Sequence, residues 1–232
     1  KQKTAYEISL GLVGSEMCIR DRDKENFEIP FTKITLLEGK HSTVIAFPEL
    51  EISIKIFKHS LVKNAIKEYE ILKELSEKNY WVPKPYALIL KKHPILIREY
   101  IEGVYFKDFL NKATKENIRK VIWNILQFAY KLDLHGIFLD ELSHPTKNII
   151  ITKDLKTYIV DFERACKDSQ RSNVTQFLSF IYRTGLESSP LGSKIVALFE
   201  LEQIRKVIPE YKKERRIDVI SKIFKNGDKP QS

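Results

Sequence analysis

The sequence predicts an α+β protein in two units, a small antiparallel sheet carrying one helix and then a mostly helical unit. Three observations predict it. Between Phe27 and Tyr100, short β-branched and apolar runs are separated by turns rich in Gly, Pro and Lys. A single segment of helical period, about Leu61 to Lys78, interrupts these runs. Beyond Glu102 the apolar residues recur mainly at helical spacing, with one short hairpin. A length of 232 residues suits one large domain or two small lobes around a cleft.

Phe31 to Leu37 reads as the first strand, Glu38-Gly39-Lys40-His41 as a turn, and Ser42 to Phe47 as the hairpin partner. Pro48-Glu49 turns the chain into Glu51 to Phe57, which alternates strictly. Ile52, Ile54 and Ile56 are expected to fill one face, and Lys55 to point away from it. The helix at 61–78 places Ala65, Tyr69, Leu72 and Leu75 near one stripe, and Pro83 and Pro85 end it. Tyr86 to Leu90 and Ile95 to Tyr100 are the remaining strands of a five-stranded unit spanning 27–102. A helical unit is expected over 103–226, with a tail at 227–232. Ile101-Glu102-Gly103 reads as the linker. A short helix follows at Lys107 to Asn111, and a long one at Thr114 to Leu134 with Thr114 as N-cap. Asn148 to Thr152 and Thr157 to Val160 form a hairpin that delivers Asp161 at a strand end. Asn173 to Thr184 and Ser193 to Phe224 read as helical.

Composition narrows the function classes. With 43% hydrophobic and 31% charged residues the chain reads as globular, and no apolar run approaches the roughly 20 residues of a membrane span. Two cysteines, Cys18 and Cys166, have no metal-ligand spacing and fit a reducing cytoplasm without disulfides or zinc. The net charge of +9 favours anionic partners. Residues 203–232 hold nine Lys/Arg against four Asp/Glu, which makes RNA or the ribosome a candidate contact for this end. Tyr6 to Arg22 contains the only methionine and one of the two cysteines, and resembles the peptide that sequencing-adaptor DNA encodes when read through. Residues 1–22 are therefore set aside as foreign to the fold.

Order along the chain points to chemistry. Phosphoryl transfer needs cations on the phosphates, a metal on acidic and amide oxygens, and an oriented acceptor. A strand lysine (Lys55), a helix glutamate (Glu68), an acidic pair (Asp140 and Glu141), Asn148 and a strand-end aspartate (Asp161) follow one another in that order. Glu70 competes with Glu68 but lies about 200° around the helix, so only one faces a cleft. Asp161 with Asn148 offers the carboxylate and amide oxygens that Mg2+ prefers.

EGKHSTV at 38–44, ISIKIF around Lys55, KEYEILKEL at 67–75, LIREYIEG at 96–103, DELSHPTKNIII from Asp140, YIVDFERA ending at Ala165 and NVTQFLSFIYR at 173–183 occur in order. With these pieces the chain resembles the protein kinase-like superfamily, and within it a short archaeal family of predicted Ser/Thr protein kinases neighbouring the RIO type. The resemblance implies a two-lobed kinase-like fold with ATP and Mg2+ in the cleft. It implies that Lys55 paired with Glu68 positions the phosphates, and that Gly39, Lys40, His41 and Ser42 cover them. Val44 then packs on the adenine, Glu99 and Ile101 form the hinge, and Arg98 takes the gatekeeper place, from which it can reach a carboxylate across the cleft. Asn148 and Asp161 hold the metal. The catalytic acid stays open between Glu141, which aligns, and Asp140, the commoner type, and two residues too many precede Asn148. Glu163 stands where the family's flexible glycine would be, and no activation segment is expected. The implied acceptor is a Ser/Thr on a protein or on the enzyme itself. A small-molecule kinase, and a pseudokinase or RIO-like ATPase in ribosome assembly, are the rival expectations.

Overall fold

A computed structural model describes residues 35–39, 41–167 and 170–224. The segment 1–22, Lys40 and the tail at 227–232 lie outside the described residues. The first unit is an antiparallel sheet of β1 (Thr35–Glu38), β2 (Ser42–Phe47), β3 (Ile52–Phe57), β4 (Pro85–Ile89) and β5 (Ile95–Glu99), in the order β1-β2-β3-β5-β4. The β2–β3 connection closes through a 3-10 turn at Pro48–Leu50 and Glu51 at φ 55°, a left-handed turn residue. Register sets Val44 beside Lys55 and Lys55 beside Leu96. Helix α1 (Val62–Glu77) lies against β4 and β5 and buries Ala65, Glu68, Ile71, Leu72 and Leu75.

The alternation in β3 is as expected, with Lys55 on the face opposite Ile52, Ile54 and Ile56, and it is the Lys55 face that is the more deeply buried. Ser53, Lys55 and Phe57 are buried, whereas Ile52, Ile54 and Ile56 are only half-buried on the other face. The physical reason is α1: its buried stripe and the cleft cover the Lys55 face, so a lysine sits deeper than its isoleucine neighbours.

The second unit begins at β6 (Val104–Tyr105), a strand within the stretch that the sequence reads as passing from linker to helix. It pairs with β7 (Ile149–Ile151), which pairs with β8 (Thr157–Ile159). Helices α2 (Phe106–Lys112) and α3 (Lys115–Leu134) follow β6. Thr114 Oγ accepts from Asn117 N at the start of α3. At its end Gly136 adopts φ 66°, and Ile137 N donates to Leu132 O at 3.0 Å, a Schellman ending that needs the glycine. Then come α4 (Asn173–Leu186), α5 (Pro190–Leu198), α6 (Leu201–Glu214) and α7 (Ile217–Ser221). The single helical stretch expected from Ser193 to Phe224 is thus three helices. Phe199, fully buried, runs extended and bridges to Phe224, and Arg215 turns left-handed at φ 53°. One apolar cluster joins the units. It runs from Phe57, Leu72 and Leu96 through Ile122, Leu126 and Ala129 of α3 to Phe177 of α4 and Ile204 of α6. Among the described residues no helix is long and apolar enough to cross a membrane.

Candidate active site

Lys55 is delivered by the middle of β3 and is 2% exposed. Burying an ammonium costs several kcal/mol unless it is paired, and here it meets three carboxylates. Its Nζ lies 2.7 Å from Glu68 Oε2, 3.0 Å from Asp161 Oδ1 and 3.5 Å from Glu163 Oε2. Glu68, 0% exposed on α1, is also bonded through Oε1 to Arg98 Nη1 at 2.9 Å. The same Nη1 donates to Val160 O at 2.6 Å, so the carboxylate that Arg98 meets is within its own unit, and across the cleft it reaches a backbone carbonyl that ties β5 to the segment before Asp161. Glu70, by contrast, is exposed.

The charges in this cluster act on one another. Burial and Arg98 disfavour the Lys55 charge, but Glu68, Asp161 and Glu163 outweigh them and hold its pKa above the ordinary lysine value. Burial pushes the Glu68 carboxyl up against the pull of Lys55 and Arg98. For Asp161 burial again opposes ionisation, yet Lys55, by charge and hydrogen bond, and Arg98 bring the carboxyl below its usual value. Three carboxylates face two cations, an excess of one negative charge. Asp161, with 31% of its side chain exposed, is the member that opens to the cleft.

Two cavities flank Asp161. The larger, about 340 Å³, is lined by Gly39, Ser42, Val44, Ala46, Lys55, Arg98, Glu99, Ile101, Asn148 and Asp161, among others. The Glu99 side chain turns outward to accept from Lys84 N, and its carbonyl accepts from Ser53 Oγ at 3.1 Å. The second cavity, about 280 Å³, is lined by His41, Asp140, Glu141, His144, Glu163 and Arg164. Gly39, Ser42, Asn148 and Asp161 line both. Arg164 Nη2 approaches His41 Nε2 at 3.5 Å across the second cavity.

Asp140 and Glu141 occupy a 3-10 turn, Asp140–Ser143, and differ in setting. Asp140 is exposed; Glu141 is half-buried, and its Oε2 is buried without a hydrogen-bond partner. Burial lifts the Glu141 carboxyl to about 7. The turn is anchored from behind. Asn173 Oδ1 accepts from Leu139 N at 2.8 Å, its Nδ2 donates to Ile137 O at 2.7 Å, and the buried Asp133 carboxylate accepts from Asn173, Ser172 and Tyr211.

The structure thus gathers Lys55, Glu141, Asn148, Asp161, Gly39, His41, Ser42, Val44, Glu99 and Ile101 around the two cavities, with Asp140 in the lining of the second and Glu68 fully buried behind Lys55. Two participants were not expected in these roles. Glu163 is a partner of Lys55, and Asn64 Nδ2 of α1 holds the Glu163 carbonyl at 3.0 Å. A glutamate two residues after a strand-end aspartate could have flagged the first. Nothing local marks Asn64, because its partner is distant in sequence.

The fold is that of a protein-kinase-like domain. Residues 44–179, more than half of the chain, match the RIO domain family, and the chain belongs to that family, one of kinase- and ATPase-like proteins. An uncharacterised protein of Methanocaldococcus jannaschii is 29% identical over 116 residues, 50% of this chain and 98% of that protein. The KEOPS complex subunit Bud32 of Pyrococcus abyssi is 33% identical over 113 residues, 48% of this chain and 47% of the relative. The chain therefore spans about half the length of Bud32. Among solved structures, WbdD with a kinase inhibitor aligns with a TM-score of 0.52 at 15% identity, over 83% of this chain and 49% of that one. That likeness speaks to the fold alone.

Proposed function

We propose that the protein is an ATP- and Mg2+-dependent phosphotransferase with an alcohol acceptor, a Ser/Thr side chain of a protein or of the chain itself. In this reading the sheet unit to residue 102 and the helical unit from 103 are the two lobes. One observation carries it: the two cavities meet at Asn148 and Asp161, so a metal site would lie between a nucleotide chamber and a chamber holding a candidate base.

Val44 and Ala46 above and Ile150 below give the larger cavity apolar walls for a nucleobase, and Glu99 and Ile101 form its hinge edge. Gly39, His41 and Ser42, with Lys40 beside them in sequence, roof the phosphate end. Lys55, oriented by Glu68, contributes the cation that pairs with the α- and β-phosphates. Asn148 and Asp161 supply the hard oxygen donors that suit Mg2+, which would neutralise charge on the phosphates when bound. Both acids line the second cavity, and Glu141 is the acid of choice because it is half-buried, with its carboxyl lifted to about 7, near the operating range of a general base, whereas Asp140 is exposed. Its carboxylate takes the proton of the acceptor hydroxyl. That oxygen bonds to the γ-phosphorus while the β–γ bridging bond breaks, leaving ADP.

A second reading keeps the nucleotide and changes the outcome. In it the chain hydrolyses ATP as an assembly ATPase rather than passing the phosphate to an alcohol. Bud32 is named as a subunit of the KEOPS complex, and the C-terminal stretch 203–232, with nine Lys/Arg against four Asp/Glu, is the candidate contact for a partner such as RNA. Incubation with γ-labelled ATP and Mg2+, alone and with a native lysate, separates the readings. Label on protein or on a small molecule supports transfer and gives the acceptor class. Free phosphate alone supports the ATPase, and intact ATP rejects both.

A further inference from the structure

The stretch 173–183 places polar side chains on one face of α4 toward the turn that holds Glu141. Asn173 anchors the backbone before that turn, as described. Three residues on, Gln176 Nε2 donates to Asp140 O at 2.6 Å, and a further seven on, Arg183 Nη2 donates to Ser143 O at 2.9 Å. Offsets of three and ten keep these residues on one side of a helix. The two carbonyls belong to the first and last residues of the 3-10 turn Asp140–Ser143.

The turn needs such support. Its own backbone bonds include a long one, Leu142 N to Leu139 O at 3.4 Å, beside His144 N to Glu141 O at 3.0 Å. Short 3-10 segments have poor internal hydrogen-bond geometry and leave their last carbonyl, here Ser143 O, to a partner outside the turn, while Asp140 O already accepts from Ser143 Oγ at 2.8 Å and gains a second donor in Gln176. This segment is also two residues longer, up to Asn148, than the spacing of kinase-like loops. Glu141 lies between the two clamped carbonyls, so any slack in the turn moves its carboxylate relative to the second cavity.

We propose that Gln176 and Arg183 are positioning residues that clamp the Asp140–Ser143 turn at both ends and so set the aim of Glu141. The clamp itself is independent of function; its effect on turnover rests on Glu141 being the base, as proposed above.

Gln176→Leu and Arg183→Met, singly and together in the full chain, test it, with loss of the γ-label from MgATP, whether to an acceptor or to water, as the assay. Misplacement of a reacting group by about 1 Å can cost on the order of 100-fold. The double variant is expected to lose about tenfold or more in kcat with less than about a twofold change in KM for ATP. Arg183→Lys, which keeps a donor, is expected to recover most of the loss due to Arg183. Hydrogen exchange at the Leu142 and His144 amides is expected to quicken in the double variant, with global melting little changed. Unchanged exchange overturns the clamp whatever the turnover does. Quickened exchange with unchanged kcat overturns the aiming role. If Glu141→Gln itself leaves kcat intact, or the wild type leaves ATP intact, the reading of Glu141 as base fails along with the aiming role. The exchange result alone then decides the clamp.

Discussion

At the scale of single residues, Glu141 combines burial with function. Loss of hydration raises its carboxyl to about 7; its own backbone amide opposes the rise, Asp161 adds to it, Arg164 opposes it and Asp140 adds to it. A carboxyl raised on folding takes up a proton between its unfolded and folded values. Stability from this group is therefore fully present below about pH 4, its unfolded range, and is lost as pH rises through about 7. Glu141→Gln is predicted to melt higher than wild type at pH 8, with the gap closing by pH 5. In loss of the γ-label from MgATP, kcat/KM of the wild type is predicted to climb through about pH 7, and this limb to vanish in the variant. An equal melting gap at both pH values would refute the burial account. The sequence leaves Asp140 and Glu141 as alternatives because adjacent residues share a local signal. Only the course of the turn buries one and exposes the other.

Secondary elements were legible in proportion to their periodicity. The strict alternation of β3 and the long apolar stripe of α3 are local properties, and both stand within a residue or two of the expected bounds. What escaped depends on distant partners. Lys55 is buried through α1, and the break at Phe199 follows from an aromatic that pairs with Phe224. Strand β6 exists because the chain at Gly103 lies directly against β7. A Cβ on Gly103 would come within 2.4 Å of Ile151 O and 2.6 Å of Ile150 Cγ2, too close without moving the strand. Gly103→Ala is predicted to destabilise by about 1–3 kcal/mol in urea denaturation. It should also weaken nucleotide binding, since Gly103 and Ile150 line the larger cavity. An unchanged denaturation midpoint would show that β6 accommodates the methyl.

Across the whole molecule, helix α1 is tied to the second unit along its length. Asn64 holds the Glu163 carbonyl, Glu74 pairs with Lys167 at 2.7 Å, and beyond the helix Tyr80 meets His135 at 2.9 Å. Arg98 adds a buried strap from Glu68 to Val160 O. Such a helix has little freedom to swing, so the Lys55–Glu68 pair is preformed. Hydrogen exchange across α1 is predicted to change little when MgATP is added, whereas a large gain in protection would mean that the pair assembles on binding. The central claim, a metal–nucleotide cleft organised on Asp161, is tested most directly by calorimetric titration of ATP into wild type and Asp161→Ala, each with and without Mg2+. The account predicts that Mg2+ strengthens ATP binding in the wild type and that the variant loses this enhancement while remaining folded. Equal enhancement by Mg2+ in both proteins would contradict it.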